Sequence, residues 1–562
     1  MKGRSTSEWD GEVTLVSQLA AAASLFAFLF YFRRGDLLLY GDAVAHINIA
    51  RRVIDSQTPG LLQLGTVWLP LPHLFMVPFL FSDAAWQTGI AGSIPSMCAY
   101  VFSTAGIFLL VRTSLNARKS SEPVSPSTRP TIPARTGAWM AAIAFAANPN
   151  LLYMQTTAMT EPLYLAFFIW SAVHFSDFVR ASGPIESCQL NPVRSLIKCG
   201  WCVLGATLIR YDGWMLAGVL CVAAACVTIT SKRKALRFAF GKFLLLASIG
   251  PLLWLAYNAI IYRNPLEFAN GQYSARAIEQ HKTALSASSP HPGWHSLPVS
   301  FSYFFKSTKD NIAPGKLQIL WVVVLLAGLI MILACNRRLW PLLLLALPIA
   351  FYTLSVAYGS IPIYLPDWWP FSHYNVRFGL EMVPAFVVAL ALAMHFLIQR
   401  IGKPTAKMVV SVCALAFVFA SYGLIWKAQP ICYREARINS RSRIALDQAL
   451  ASTLLKLPRN STLLMYLGDH VGALQDAGIP LRRTINEGNH RPWKTPADPE
   501  GLWERALADP QKYADYVVSI DDDPIAKHIQ RRDLTSMVVI RTIGEPPATI
   551  YWTHRVPGNQ TR

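Results

Sequence analysis

Eight polar side chains in the first three quarters of this 562-residue chain are of types that can move a proton or bind an anion. Carboxylate and imidazole groups can accept a proton from a hydroxyl, and guanidinium groups stabilise a phosphate through charge and paired hydrogen bonds. They are spread over distant parts of the sequence, so they can act together only if the fold gathers them. The eight candidates are Asp42, His46, His73, Glu161, Arg210, Asp212, His373 and Arg377.

The segment 41–53, which contains Asp42 and His46, is the most informative part of the sequence for the site. Asp42, His46, Ile49 and Val53 lie on one face of a helix, with His46 one turn after Asp42. This pattern predicts a helix lying in the membrane interface. The aromatic and proline-rich stretch 66–73, which ends at His73, is typical of a segment that dips into the lipid headgroup region.

The elements that must position these residues are membrane helices. The composition is 53% hydrophobic and only 15% charged, which is too apolar for a soluble protein of this size. Apolar stretches of the length needed to cross a bilayer recur until about residue 427. They predict an all-α polytopic membrane protein of about eleven transmembrane helices, at 13–32, 86–111, 137–155, 160–179, 199–211, 213–230, 239–261, 317–335, 339–358, 378–398 and 408–427.

Basic clusters lie in alternate loops between the predicted helices and set the orientation. They fall within 112–135, 194–198, 232–237, 337–338 and 400–407. By the positive-inside rule, these loops and the amino terminus lie in the cytoplasm, and the carboxyl terminus lies outside a plasma (inner) membrane. Most of the net charge of +19 is therefore topogenic, and we expect no nucleic-acid partner.

This topology places the polar clusters on one membrane face. Asp42 follows the first span, Glu161 opens the fourth, Arg210 and Asp212 close the fifth, and Arg377 opens the tenth, all on the outer side. Acidic residues are scarce in the membrane part, so each one near the outer face needs a reason. We therefore expect these side chains to line one outward-facing cavity.

Simpler structural roles remain open for each cluster. Glu161 follows Thr160 at a helix start, where the helix dipole favours a carboxylate. Arg210 and Asp212 are compatible with a plain ion pair at an interrupted helix, and Arg377 with an interfacial anchor. Asp42 is the hardest to explain in this way, because neither topology nor burial requires a carboxylate at its position.

The sequence changes character after Trp426. A charged helix at 434–456, strand-like runs at 462–467 and 516–520, and a hairpin through 537–551 around the turn 544–547 predict a small carboxyl-terminal α/β domain. We place the domains at 1–430 and 431–562. The second domain shows no glycine-rich phosphate-binding motif, so we expect it to serve recognition or positioning.

An outward cavity with a carboxylate, several cations and aromatic walls is suited to an amphipathic substrate with an anionic headgroup, such as a lipid-linked sugar. The sequence resembles the polytopic C-type glycosyltransferases that use polyprenyl-phosphate sugars, especially the protein mannosyltransferase and aminoarabinose transferase branch. The resemblance rests on a few motifs: Gly41-Asp42, Leu69-Pro70-Leu71-Pro72-His73, Thr160-Glu161-Pro162-Leu163 and Arg377.

The resemblance implies an inverting glycosyltransferase that moves a sugar from a polyprenyl-phosphate donor to an acceptor hydroxyl on a lipid, glycan or protein. Asp42 corresponds to the catalytic base of the family, and Arg377, with Arg210 in reserve, would hold the donor phosphate. The mannosyltransferases often carry two adjacent acids where this chain has Asp42 and Ala43. A divalent cation is compatible with such a site, but no third ligand accompanies Asp42 and His46, so we predict no metal and no cofactor.

Two other classes of protein remain open. A transporter or lipid flippase would also carry charged residues in its membrane part, although such proteins usually show internal repeats and charges near the bilayer midplane. An assembly or sensor protein would use the carboxyl-terminal domain to bind a partner in the cell envelope. Turnover of a lipid-linked sugar distinguishes the enzyme from both.

Overall fold

The structure, a computed structural model, describes residues 10–116, 131–183, 191–231, 233–271, 273–285, 291–334, 337–468, 470–489, 501–529 and 534–554. The first three quarters of the chain are almost entirely helical. Their helices are α1 (Gly11–Arg33), α2 (Gly41–Arg52), α3 (Leu71–Met76), α4 (Asp83–Thr88), α5 (Ile90–Leu115), α6 (Ile132–Ala146), α7 (Pro149–Met154), α8 (Glu161–Ala181), α9 (Pro192–Thr207), α10 (Asp212–Thr230), α11 (Lys234–Tyr262), α12 (Glu267–Asn270), α13 (Ala275–Leu285), α14 (Leu297–Ile312), α15 (Leu317–Ala334), α16 (Leu347–Tyr358), α17 (Val383–Arg400) and α18 (Pro404–Ala428).

Nine helical stretches in the described part of the chain are long and apolar enough to cross a membrane. The other two predicted spans correspond to α6 and α9, which have 15 and 16 residues and are also apolar. The multi-pass membrane fold predicted from the sequence is confirmed. The nine stretches are α1, α5, α8, α10, α11, α15, and the segments Leu339–Tyr358, Val376–Arg400 and Pro404–Asn439.

Two predicted spans begin or end at different residues because local backbone signals interrupt them. The predicted span 86–111 contains Gly89 in the left-handed conformation (φ 84°), which ends α4, so the long helix starts at Ile90. The predicted span 137–155 is divided at Asn148, whose side chain accepts a hydrogen bond from the Leu151 amide and caps α7. Helix caps thus decide the boundaries that hydropathy alone places too broadly.

The bundle packs around α8 and α17, which are buried along most of their length. Helix α8 lies against α5 and α9, and α17 lies against α6 and α15. In contrast, α11, α15 and α18 expose large apolar side chains such as Leu245, Ile330 and Val409. These exposed faces are expected of helices whose surrounding solvent is lipid rather than water.

Helix α2 is more deeply enclosed than an interfacial helix would be. Eight of its twelve residues are buried, among them His46, Asn48 and Arg51. The Arg51 guanidinium donates to Asp55 at 3.0 Å and to Asp83 at 2.7 Å, which ties the end of α2 to the first residue of α4. The prediction of a helix at this position is correct, but the helix is packed inside the protein.

The carboxyl-terminal part contains a five-stranded mixed sheet with the strand order β2-β1-β3-β5-β4. The strands β1, β2 and β3 are parallel, and β3, β5 and β4 pair in antiparallel fashion, the last two as the predicted hairpin. The elements are α19 (Ile431–Asn439), α20 (Arg441–Leu454), β1 (Leu463–Met465), α21 (Gly472–Ala477), β2 (Thr484–Ile485), α22 (Leu502–Ala508), α23 (Pro510–Tyr513), β3 (Tyr516–Ile520), α24 (Pro524–His528), β4 (Thr535–Ile540) and β5 (Ala548–Trp552). The single helix predicted at 434–456 is two helices, α19 and α20, separated at Ser440.

Direct polar contacts join the carboxyl-terminal part to the membrane part. Gln475 accepts a hydrogen bond from Asn48 of α2 at 2.7 Å and donates one to the backbone oxygen of Trp86 at 2.6 Å. Asp55 accepts from the backbone amides of Leu481 and Arg482. The carboxyl-terminal part therefore covers α2, and the division at residue 430 stays a prediction.

Candidate active site

The centre of the site is the guanidinium group of Arg377, which contacts three carboxylates at once. Its Nη2 lies 2.5 Å from Oδ2 of Asp42, its Nε 3.0 Å from Oε1 of Glu161, and its Nη1 3.1 Å from Oε1 of Glu435. All three nitrogens therefore have an anionic partner. The four residues come from α2, α8, the segment before α17, and α19, so only the tertiary fold brings them together.

A second guanidinium group, Arg210, continues the network. Its Nη1 lies 3.2 Å from the same Oε1 of Glu161, which therefore bridges the two arginines. Arg210 also contacts Asp212 at 3.2 Å and donates to the Tyr352 hydroxyl at 2.8 Å. Tyr352 in turn donates to Glu381 at 2.6 Å. The result is one continuous network of charged and hydroxyl groups.

The network lies at the ends of helices and not midway along them. Glu161 and Asp212 are the first residues of α8 and α10, where the helix dipole stabilises a carboxylate by ~0.3–1 kcal/mol. Arg377 lies in the 3₁₀-helical segment Val376–Met382 that leads into α17. Thr160 is the N-cap residue of α8, but its hydroxyl accepts from Arg210 and caps no backbone amide.

Carboxyl groups outnumber guanidinium groups in this network. Asp42, Glu161, Asp212, Glu381 and Glu435 share two cations, Arg210 and Arg377. Four of the five carboxylate side chains are 0–2% exposed, whereas that of Asp42 is 40% exposed. Among the carboxylates of the network, Asp42 is therefore the one that a substrate can reach.

The backbone around Arg377 is shaped to present its side chain. Asn375 has a left-handed conformation (φ 57°), which Asn tolerates better than most residues, and its side chain donates to the Pro362 carbonyl at 2.8 Å. At Gly379, a Cβ would lie 2.5 Å from the carbonyl group of Ser307. Only glycine therefore lets this segment pack directly on α14.

The turn that carries Asp42 is held by the carboxyl-terminal helices. Arg443 of α20 donates to the carbonyl oxygens of Leu38 and Leu39 at 3.0 and 3.1 Å. The Tyr40 hydroxyl donates to the Cys432 carbonyl at 2.8 Å. The position of Asp42 thus depends on α19 and α20 as well as on its own helix.

His46 and His73 form a buried pair next to this network. Nδ1 of His46 lies 3.0 Å from Nε2 of His73, and the His46 ring packs on Trp68. Burial, reinforced by the positive charge of Arg377, lowers the pKa of His46 to about 3. Burial also holds the pKa of His73 well below its usual range. Both rings are therefore neutral at physiological pH and are poor candidates for a cationic phosphate contact.

This pair predicts a specific pH dependence of stability. In the unfolded chain both imidazoles take up protons below about pH 6.5, whereas His46 stays neutral in the folded protein down to pH 3. The unfolded state then binds more protons, so stability falls as pH decreases below 6.5, by up to ~1.4 kcal/mol per pH unit for each ring. We expect thermal unfolding of the variant with both His46→Gln and His73→Gln to depend less on pH between 7.5 and 5 than that of the wild type.

His528→Gln is the control for that measurement, because His528 is exposed on α24. Its unfolding temperature should follow the wild-type pH dependence. Equal pH dependence of the double variant and the wild type would contradict the prediction.

The structure brings five of the eight sequence candidates into one network, namely Asp42, Glu161, Arg210, Asp212 and Arg377. His46 and His73 lie beside it as a pair. His373 lies apart from the network: its backbone oxygen accepts a hydrogen bond from Asn439, and burial, together with the charge of Arg434, lowers its pKa.

Sequence reasoning missed three members of the network. Glu381 is one helical turn after Arg377, which is a usable signal for a shared face. Tyr352 lies in an apolar span and Glu435 in a charged helix, and neither position differs in pattern from its neighbours. Among the described residues, no group of three or more His, Cys, Asp or Glu side chains is arranged to hold a metal ion.

Comparison with known proteins identifies the fold. No family model and no curated protein matches the chain. Among solved structures, the chain is similar to ArnT from Cupriavidus metallidurans, in the apo state (TM-score 0.53) and bound to undecaprenyl phosphate (TM-score 0.52). Each match has 14% identity and covers 97% of this chain and 98% of ArnT.

A weaker likeness links the chain to an oligosaccharyltransferase from Archaeoglobus fulgidus, with 11% identity and a TM-score of 0.45, over 95% of this chain and 72% of that one. The ArnT matches extend over the helical bundle and the carboxyl-terminal sheet alike, because they span nearly the whole of both chains. The fold that this resemblance predicted is thus confirmed: the chain shares the fold of ArnT.

Proposed function

We propose that this protein is an inverting glycosyltransferase that moves a sugar from a polyprenyl-phosphate donor to an acceptor hydroxyl at the outer face of the membrane. The observation that carries the proposal is the ion pair between Arg377 and the partly exposed carboxylate of Asp42. In this pair, a carboxylate that can accept a proton lies next to a cation that can bind a phosphate. The fold supports the proposal, since a solved structure of ArnT contains undecaprenyl phosphate.

In the proposed reaction, Asp42 accepts the proton of the acceptor hydroxyl as its oxygen attacks the anomeric carbon. The bond between that carbon and the phosphate oxygen breaks, and its electron pair leaves with the polyprenyl phosphate. Arg377 stabilises the charge that grows on the leaving phosphate. Attack from the side opposite the phosphate inverts the anomeric configuration.

The contacts of Arg377 suggest how the donor enters the site. Three of the five N–H groups of the Arg377 guanidinium already donate to carboxylates, and we propose that a donor phosphate replaces one of these partners. Glu161 and Glu435 are buried, whereas Asp42 is 40% exposed, so Asp42 is the partner that exchanges. Donor binding would thus release Asp42 from its ion pair and free its carboxylate to act as a base.

Arg210 has a supporting role in this proposal. Its partners Glu161, Asp212 and Tyr352 are all buried, so none of them is placed to exchange with a substrate as the exposed Asp42 is. Its contact with Oε1 of Glu161 fixes the carboxylate that also holds Arg377. Arg377 is therefore the proposed phosphate contact, and Arg210 helps to hold it in place through their shared partner Glu161.

A transporter or lipid flippase is the alternative function. Its charged residues would be expected near the middle of the membrane helices. In this structure Glu161 and Asp212 are instead at the first residues of their helices, and Arg377 precedes α17. This placement favours a reaction at a membrane face over transport of a substrate through the helical bundle.

The test is turnover by the purified protein in nanodiscs supplied with labelled polyprenyl-phosphate sugars and a membrane extract as the source of acceptor. Release of free polyprenyl phosphate that depends on the protein and on the acceptor supports the enzyme. Movement of the intact labelled lipid across vesicle membranes, without release of the sugar, would support the flippase instead. Envelope extracts of a deletion strain should accumulate the lipid-linked donor.

The orientation makes a separate prediction. Single cysteines placed next to Asp42 and in the carboxyl-terminal sheet should react with a membrane-impermeant thiol reagent in intact cells, because the basic loops hold the opposite face in the cytoplasm. A cysteine in the basic loop at 400–403 is the control and should react only after permeabilisation. Protection of the carboxyl-terminal sheet until permeabilisation would contradict the proposed topology.

A further inference from the structure

We infer that Glu435 is a positioning residue for the proposed reaction, through which the carboxyl-terminal part of the chain holds Arg377 in its working orientation. The inference rests on the proposed function, because it concerns the same site. Glu435 lies on α19, in the part of the chain that the sequence assigns to a separate domain. It is fully buried, and burying a carboxylate is costly unless charged or hydrogen-bonding partners stabilise it.

The contacts of Glu435 all lead to one short segment. Its Oε1 accepts from the backbone amide of Asn375 at 2.8 Å and from Nη1 of Arg377 at 3.1 Å. Its Oε2 lies 3.3 Å from the backbone amide of Arg377. One carboxylate thus fixes both the backbone and the side chain of Arg377.

The segment needs this support because its backbone conformation is unusual. Asn375 has positive φ, and the amides of Asn375 and Arg377 both point toward Glu435. Two converging amides at a turn form an anion-binding concavity, and Glu435 occupies it from within the protein. Without the carboxylate, these amides would be buried without an acceptor, and the turn would lose its fixed shape.

Helix α19 is itself anchored firmly enough to act as a support. The Cys432 amide donates to Asn150 at 3.0 Å, and the Tyr433 hydroxyl donates to Asp36 at 3.0 Å. These contacts reach α7 and the turn before α2, so α19 is tied to the elements that carry Asp42. Glu435 therefore sets the position of Arg377 relative to Asp42, which is the geometry that the proposed reaction requires.

Two substitutions test this role. Glu435→Gln removes the charge and one of the two acceptor oxygens, and Glu435→Asp keeps the charge but retracts it by one methylene group. A displacement of about 1 Å in a catalytic group can cost on the order of 10²-fold in rate. We expect both variants to lower kcat by ~10- to 100-fold while the dissociation constant of the donor changes less than about threefold. Arg437→Gln, which removes a charge from the exposed side of the same helix, should keep wild-type turnover.

A double-mutant cycle distinguishes positioning from a general structural effect. If Glu435 acts through Arg377, Glu435→Gln should reduce turnover much less in an Arg377→Lys background than in the wild type. Equal reductions in the two backgrounds would overturn the inference. If Glu435→Gln does not accumulate, Glu435→Asp decides alone, and wild-type turnover by that variant overturns the inference. Absence of turnover by the wild-type protein itself contradicts the proposed function, so the two failures are distinguishable.

Discussion

Asp42→Asn should lower the rate of sugar transfer by at least ~100-fold while the protein folds normally. The amide keeps the size of the side chain and an oxygen that can accept from Arg377, but it cannot take a proton from the acceptor hydroxyl. General-base catalysis typically contributes ~10²–10⁴-fold, and a sugar or other hydroxyl acceptor reacts slowly without it. Donor binding should be unchanged or slightly tighter, because the phosphate no longer displaces a carboxylate from Arg377.

Two variants serve as controls for this prediction. Asp177→Asn changes a carboxylate that is also paired with an arginine, Arg180, near the end of α8 opposite Glu161, and should keep wild-type turnover. His46→Ala should cost roughly tenfold or less, because His46 is buried one helical turn after Asp42 and pairs with His73. Normal turnover by Asp42→Asn together with loss of turnover in His46→Ala would identify His46, and not Asp42, as the base. Normal turnover by both variants would show that α2 takes no part in the chemistry.

Arg377→Ala should impair both stability and donor use more than Arg377→Lys does. Removal of the guanidinium leaves Asp42, Glu161 and Glu435 without their shared cation, and breaking a buried ion pair in this way costs about 3–5 kcal/mol. Lysine restores the charge but offers a single ammonium group in place of three fixed nitrogens. Donor affinity and turnover, measured on the folded fraction, should therefore follow the order Arg, Lys, Ala.

Arg34→Ala is the matched control, since Arg34 pairs with Asp36 but its side chain is 47% exposed. Exposed ion pairs contribute little, so its unfolding temperature and donor use should stay near wild-type values. If Arg377→Ala and Arg377→Lys both bind and turn over the donor like the wild type, Arg377 is only a structural residue. The phosphate contact would then have to be sought at Arg210.

The sequence by itself determined the class of the fold. Its long apolar stretches predict the membrane helices, because crossing a bilayer requires about 20 apolar residues whatever the tertiary structure. Its short strand-like runs and the glycine- and proline-containing turn at 544–547 predict strand β3 and the hairpin of β4 and β5, because such runs and turns are local signals. Boundaries were less predictable: Gly89 ends α4 and Asn148 begins α7 through cap geometry that hydropathy does not register.

Some residues of the candidate site could likewise be predicted from the sequence, and others could not. Asp42, Glu161, Arg210, Asp212 and Arg377 were found from the sequence because charged residues are costly in a membrane protein and topology assigns each of them a face. Glu435 was not found, since it lies in a charged helix where one more carboxylate is unremarkable until the fold buries it against Arg377. Only the tertiary structure decided which carboxylate meets which guanidinium, because an ion pair depends on distances of a few ångströms between residues hundreds of positions apart.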